Sequence, residues 1–246
     1  RDLSLSADTV EAGGSVRISV DVVNTRDRAG EEVVQLYTRQ RRSRVRQPLR
    51  RLRDFQRVRL APGARATVTF ELAAADLAFH DAGRDAPVVE TARHTVMVGR
   101  SCTEITATAV LAVRGSVLGS RTGPLSAATR DEEYGTRLTA ATALSGDAVV
   151  ARSPGAWLGF TGVDVGAGPR RVRVTAAAPT GGARLELRLG DPLTGPLAAA
   201  LDVPFTGGVH DFEPVCGPWT GDGVHDLFLV MDTAGARVGE IAWDAA

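Results

Sequence analysis

The chain has 246 residues, 43% of them apolar and 24% charged, and its 29 basic and 29 acidic residues cancel to a net charge of zero. That composition excludes a disordered polymer, and the balance argues against a globally basic nucleic-acid binder or an acidic tail. No stretch approaches the roughly 20 apolar residues of a spanning helix, and no charged-then-apolar signal segment opens the chain, so neither a membrane nor a nucleic acid is expected as partner. Every basic residue is arginine, which reads as a composition bias of the source. Arg1 stands where a start methionine would, so processing, excision or a longer product of which this is the tail is expected. Cys102 and Cys216 lie in different halves, which excludes a disulfide framework, and neither has a second cysteine or histidine at zinc-ligand spacing.

In the first half, Val16, Ile18, Val20 and Val22 alternate with Arg17, Ser19 and Asp21, the period of a strand with one buried face. Ala66 to Leu72 and Ile105 to Leu111 repeat the pattern, while Val33 to Tyr37 and Thr95 to Val98 are short β-prone runs. Turn chemistry falls at Asn24 to Gly30, Ala61 to Gly63 and Asp81 to Gly83. Together these describe a β-sandwich of about seven strands. Eight arginines crowd the segment Arg39 to Arg53, read as a loop. It is either an anion-binding patch or a solvated loop that docks on an acidic neighbouring surface, and the second is the plainer reading.

Arg114 to Pro124 carries three glycines, two serines and a proline and no alternation, so it reads as a linker between two domains, 1–113 and 125–246. Beyond it, Leu125 opens a weak strand. Trp157 to Phe160, Val172 to Ala176, Leu185 to Leu189, Leu197 to Val203, Val224 to Met231 and Val238 to Trp243 again alternate with period two. Thr180 to Gly182 and Thr206 to Gly208 supply hairpin-like turns. The fold class expected is all-β: two β-sandwich domains, the second a jelly roll.

In the first half, the succession Asn24 to Tyr37, Leu52-Arg-Asp-Phe55, Arg59-Leu-Ala-Pro-Gly63, Asp76-Leu-Ala-Phe79 and Val96-Met-Val-Gly99 resembles the fibronectin-III-like domain that closes many family 3 glycoside hydrolases. In the second, the run Gly155 to Gly166, then Gly182 to Leu189, Thr206-Gly-Gly208, Gly223-Val-His-Asp-Leu-Phe-Leu-Val230 and a closing Trp243 resembles a family 6 carbohydrate-binding module. The first resemblance implies a fibronectin-III/immunoglobulin-like sandwich, a support module that packs on upstream catalytic domains of the same polypeptide. The second implies a polysaccharide or oligosaccharide partner and an extracellular location. In the family pattern an aromatic clamp holds the sugar, and its places fall here on Ala151, Val209 and Glu240, so the clamp is missing. Trp219, in Gly-Pro-Trp-Thr-Gly-Asp-Gly, offers a stacking face from elsewhere, with Glu240 and His210 as polar contacts; the plainer reading makes Trp219 a cap on the core edge and Glu240 a rim charge. Trp157 and Trp243 are expected in the core. Leu125-Ser-Ala-Ala and Ala242 supply no carboxylates at the family's calcium position, so no metal or other cofactor is expected.

Glycoside hydrolysis needs two carboxyl groups facing each other across the scissile bond. Glu31-Glu32 and Asp131-Glu-Glu133 are sequence neighbours that a strand sends to opposite faces. His80-Asp81, His210-Asp211 and His225-Asp226 have no nucleophile context beside them. No catalytic residue is expected in this chain, and hydrolysis is expected to belong to a β-glucosidase or β-xylosidase type barrel upstream. The competing expectation is a pair of structural, protein-interaction β modules that bind no sugar.

Overall fold

A computed structural model gives the chain over residues 3–245, except 44, 145 and 169. It divides into two compact units, one running to Asp81 and from Ala86 to Leu118, the other taking Ala82–Asp85 and everything from Gly119 on. Among the described residues there is no α-helix, only 3-10 turns at Ala74–Leu77 and Ala127–Thr129. No helix is long and apolar enough to cross a membrane.

The first unit holds β1 (Leu3–Leu5), β2 (Thr9–Glu11), β3 (Ser15–Val23), β4 (Gly30–Gln40), β5 (Arg51–Leu60), β6 (Arg65–Ala73), β7 (Phe79–Asp81), β8 (Ala86–Val88), β9 (Ala92–Gly99) and β10 (Ile105–Arg114). A sheet ordered β1-β3-β6 packs on one ordered β2-β10-β9-β4-β5, with β7-β8 a separate hairpin. Period-two alternation dictates the packing. Val16, Ile18 and Val20 of β3, with Val68, Phe70 and Leu72 of β6, bury against Val34, Leu36, Val96, Val98 and Leu111 of the other sheet. The arginine-rich segment is not a plain loop as expected. Arg39 lies in the last two residues of β4, and Arg51 and Arg53 lie at the start of β5, so the segment is the tip and edge of a hairpin.

His94 on β9 is 2% exposed, and its Nδ1 has no hydrogen-bond partner. Burial, with the Arg53 charge adding to it, pushes its pKa down from 6.5 to about 4. The unfolded chain therefore takes up a proton below pH 6.5 that the folded one refuses until about pH 4. Stability contributed by neutral His94 is complete above 6.5 and drains as pH falls across that window, by about 3 kcal/mol in all. Urea midpoints measured from pH 7 to 4.5 should fall more steeply in the parent than in His94→Leu; parallel curves would refute this.

The second unit holds β11 (Leu125–Ser126), β12 (Glu132–Tyr134), β13 (Thr136–Ala140), β14 (Asp147–Ala151), β15 (Ala156–Asp164), β16 (Arg170–Ala177), β17 (Ala183–Leu189), β18 (Leu197–Val203), β19 (Glu213–Trp219), β20 (Val224–Met231) and β21 (Arg237–Ala245). One sheet runs β13-β14-β21-β16-β19, with β11 also on β21, and the other runs β12-β15-β20-β17-β18. The turns at Thr180 to Gly182 and Thr206 to Gly208 are not hairpins. Each carries the chain from one sheet to the other, as a jelly roll requires. Leu158 and Phe160, Leu185 and Leu187, Leu227 and Leu229 fill the space between the sheets with Val172, Val174, Val238 and Ile241.

Arg114 still belongs to β10, and residues 115–124 are irregular apart from two isolated bridges, Ser116 with Glu90 and Arg121 with Val163. Arg121 is buried rather than exposed. Its Nη2 meets Asp131 Oδ1 at 2.8 Å, with side-chain exposures of 5% and 1%. Nη1 donates to Thr129 O, and the guanidinium lies 5.9 Å from the Phe160 ring centroid. The Thr161 backbone N and hydroxyl donate to the other Asp131 oxygen at 2.8 and 2.9 Å. Arg121 N donates to Gly162 O, and Arg121 O accepts from Asp164 N, so its backbone is tied down as well.

Candidate functional site

The residues expected to touch a ligand do not come together. Trp219 lies on β19, its ring 5% exposed, with Nε1 donating to Gly221 O at 2.8 Å and its edge against Trp243 at 5.5 Å between centroids. It closes the core edge, and no free face is left for stacking. Glu240 is exposed on β21, opposite Ser126 and Thr175, on the sheet's outer side. His210 is exposed in the loop 204–212, which is bonded through Thr206 to Ala178 just past the end of β16. Trp219 pairs with Arg170 at the start of β16, so about 24 Å of strand separates the two ends. Of the clamp positions, Ala151 is buried and Val209 exposed, and neither is aromatic.

A different surface gathers the aromatic side chains. On β15, Ala156, Leu158 and Phe160 point into the core, so Trp157, Gly159 and Thr161 point out. The expectation that Trp157 is core is therefore corrected: it is half-buried on the outer face of the five-stranded sheet. Strand pairing sets two rows across that face. One reads Tyr134, Trp157, Val230, Glu186, Ala200, and the next Glu132, Gly159, Phe228, Arg188, Leu197.

Tyr134, 62% exposed, stacks on Trp157 with centroids 6.3 Å apart and planes 23° apart. Phe228 meets Trp157 edge-on at 5.4 Å and 80°. Phe228 can lie there because its neighbour across the strand is glycine. A Cβ on Gly159 would stand 2.8 Å from Phe228 Cε1. Phe228 thus fixes the tilt of Trp157, and Tyr134 extends the apolar wall outward. Gly159→Ala should keep the fold at a cost of about 1–3 kcal/mol for the displaced ring, visible as a lower melting midpoint with Trp157 fluorescence shifted. An unchanged spectrum would show that Phe228 does not hold Trp157.

Opposite the wall, two strands or about 10 Å away, stands a ladder of charges. Arg188 grips Glu186 Oε2 through Nε at 3.0 Å and Nη2 at 2.6 Å, and its Nη1 donates to Gly195 O. Arg184 reaches Glu186 Oε1 at 3.5 Å and Asp202 at 3.3 Å. The side chain of Val230 lies between wall and ladder, and the small Ala200 lies beyond the ladder on β18. An aromatic wall, a low floor and preset polar groups are what a pyranose ring needs: C–H groups against π faces and hydroxyls against charged donors and acceptors. Among the described residues no group of three His, Cys, Asp or Glu is placed to hold a metal ion. Both cysteines are free and exposed.

Comparison with known proteins adds five findings. A family model described as a fibronectin type III-like domain matches residues 32–102, and one described as a carbohydrate binding module (family 6) matches residues 126–243. A β-glucosidase of Rhizobium radiobacter is 37% identical over 103 residues, 42% of this chain and 12% of the relative. A periplasmic β-glucosidase of Salmonella typhimurium is 37% identical over 71 residues, 29% of this chain and 9% of the relative. The chain therefore spans only a small part of the length of these relatives. Among solved structures, CsCBM6-3 of Clostridium stercorarium in complex with cellobiose matches with a TM-score of 0.48 at 22% identity, over 53% of this chain and 100% of that one.

Proposed function

From a chain that joins a fibronectin type III-like domain to a family 6 carbohydrate-binding module, we propose the non-catalytic, sugar-holding region of a larger β-glycosidase. In this reading the first domain supports catalytic domains outside the chain, and the second keeps the enzyme on its polysaccharide by raising effective concentration, without touching the bond that breaks. Work at the cell exterior or in the periplasm belongs to the same reading, supported by the periplasmic relative.

The observation that carries the sugar-binding part is the outer face of the five-stranded sheet, where Tyr134 and Trp157 form a wall facing the Arg188–Glu186–Arg184 ladder. A β-glycan chain laid across the strands would stack one ring on Trp157 and present its hydroxyls to Glu186 and Arg188. Glu186 keeps acceptor capacity beyond its ion pairs, and Arg184 is partly open to solvent. Affinity electrophoresis of the full chain through β-glucan and xylan gels tests the reading. Retardation in either gel is the expected result. Free migration in both would leave a pair of structural β modules.

A further inference from the structure

We infer that the arginine-bearing β4–β5 hairpin of the first domain binds an acidic polysaccharide, a chain of uronic-acid residues, independently of the aromatic face. Residues 39–59 hold ten of the 29 basic side chains and, in Asp54, one of the 29 acids. This short segment carries nine net positive charges, and the rest of the chain nine net negative ones. Among the described residues the acids do little to quench it. Arg57 has Glu31 at 3.8 Å, whereas no carboxylate stands within ion-pair distance of Arg39, Arg42, Arg46, Arg50 or Arg51. Arg53 is the exception in posture, turned inward to Thr38 Oγ1 at 2.7 Å and to Asp76 O.

The shape suits an extended polymer. β5 is the edge of its sheet, and Arg57 and Arg59 repeat along one of its faces at about 7 Å, two residues of strand. At the hairpin tip, Arg41, Arg42 and Arg93 line a concavity of about 620 Å³ with Ser43, Glu90 and Thr91. Its one carboxylate, Glu90, is engaged by Gln40 and Ser43. Guanidinium forks match planar carboxylates two bonds at a time.

The exposed apolar side chains of the same hairpin, Leu49, Leu52 and Phe55, offer surface for the C–H faces of sugar rings. A single-stranded nucleic acid would need a succession of aromatic platforms. Phe55 is the one exposed aromatic here, since Tyr37 is buried with its hydroxyl bonded to Gln35.

Affinity electrophoresis of the full chain through gels containing polygalacturonate tests this. Retention is expected, weakening steeply between about 50 and 200 mM salt as counterion release loses its drive. The triple substitution Arg42→Gln, Arg46→Gln and Arg50→Gln, at exposed positions, should weaken binding at least tenfold and flatten the salt dependence. Trp157→Ala should leave polygalacturonate binding unchanged, which separates this site from the neutral-glycan face. Retention that ignores salt, equal retention of parent and triple variant, tighter binding to single-stranded DNA than to polygalacturonate, or no retention at all would each overturn the inference.

Discussion

Replacing Asp131 with alanine is expected to destabilise the second domain by about 3–5 kcal/mol, because it removes one partner of a buried ion pair with Arg121. Arg121 is 5% exposed at the side chain, so water cannot take over the role of the carboxylate. The loss is compounded by the Thr161 backbone N and hydroxyl, which both donate to Asp131 and would be left without an acceptor. Asp131→Asn keeps an acceptor for Thr161 and removes only the charge, so it should fall between parent and alanine variant. The double variant Arg121→Met with Asp131→Ala removes both members of the ion pair and should recover part of the loss. Denaturant melts of the four proteins test the ordering. A double variant less stable than Asp131→Ala alone would show that Arg121 contributes stability of its own beyond the ion pair with Asp131.

Truncating Trp157 to alanine is expected to weaken binding of a β-glycan by about 30-fold or more. An aromatic anchor at the centre of a binding face commonly accounts for about 2 kcal/mol or more. Trp157 touches Tyr134 on one side and Phe228 on the other, so its removal also frees both neighbours. Tyr134→Ala should cost less, since that ring is more exposed and holds nothing else in place. Core packing lies on the other side of β15, in Leu158 and Phe160, so the melting midpoint of Trp157→Ala should fall modestly. Binding isotherms and melts on the same samples check both parts. Unchanged affinity would move the site to the loop rim, where Phe205 and Val209 are exposed.

Most strands were legible because the alternation of apolar residues in β3, β6, β10, β16, β17 and β21 has one buried face and one wet face. β5 and β19 were not. In β5 the exposed positions mix arginine with Leu52, Asp54 and Phe55, and only Leu60 is buried, so at this sheet edge no apolar alternation shows. In β19, Pro214 and Pro218 with glycine between them imitate a loop, yet an edge strand tolerates prolines that face away from the ladder. Leaving that stretch out of the strands is what turned Trp219 into a candidate platform.

The aromatic face was within reach of the same rule. Trp157 sits between Ala156 and Leu158, and Arg184, Glu186 and Arg188 alternate with Leu185, Leu187 and Leu189, so period two places the tryptophan and the charged ladder on the solvent side. What no local pattern could show is that β12 and β15 bring Tyr134 beside Trp157, or that β20 brings Phe228 over Gly159. These are pairings between segments remote in the chain. Arg121 was hidden for the same reason, since its glycine- and serine-rich surroundings carry no sign of Asp131 or Phe160.

The pairing of β11 with β21 decides how the second domain would respond to being pulled. The two strands are antiparallel, Leu125 beside Ile241 and Ser126 beside Glu240, so the incoming and outgoing chain leave from the same side of the pair. Tension applied at both ends would peel β11 away one hydrogen bond at a time, a weak mode of loading. Arg121 precedes β11 in the chain and is bonded through its backbone to Gly162 and Asp164 and through its side chain to Asp131 and Thr129. A load entering from the amino-terminal side therefore reaches that anchor first, and the fragile strand pair behind it stays slack.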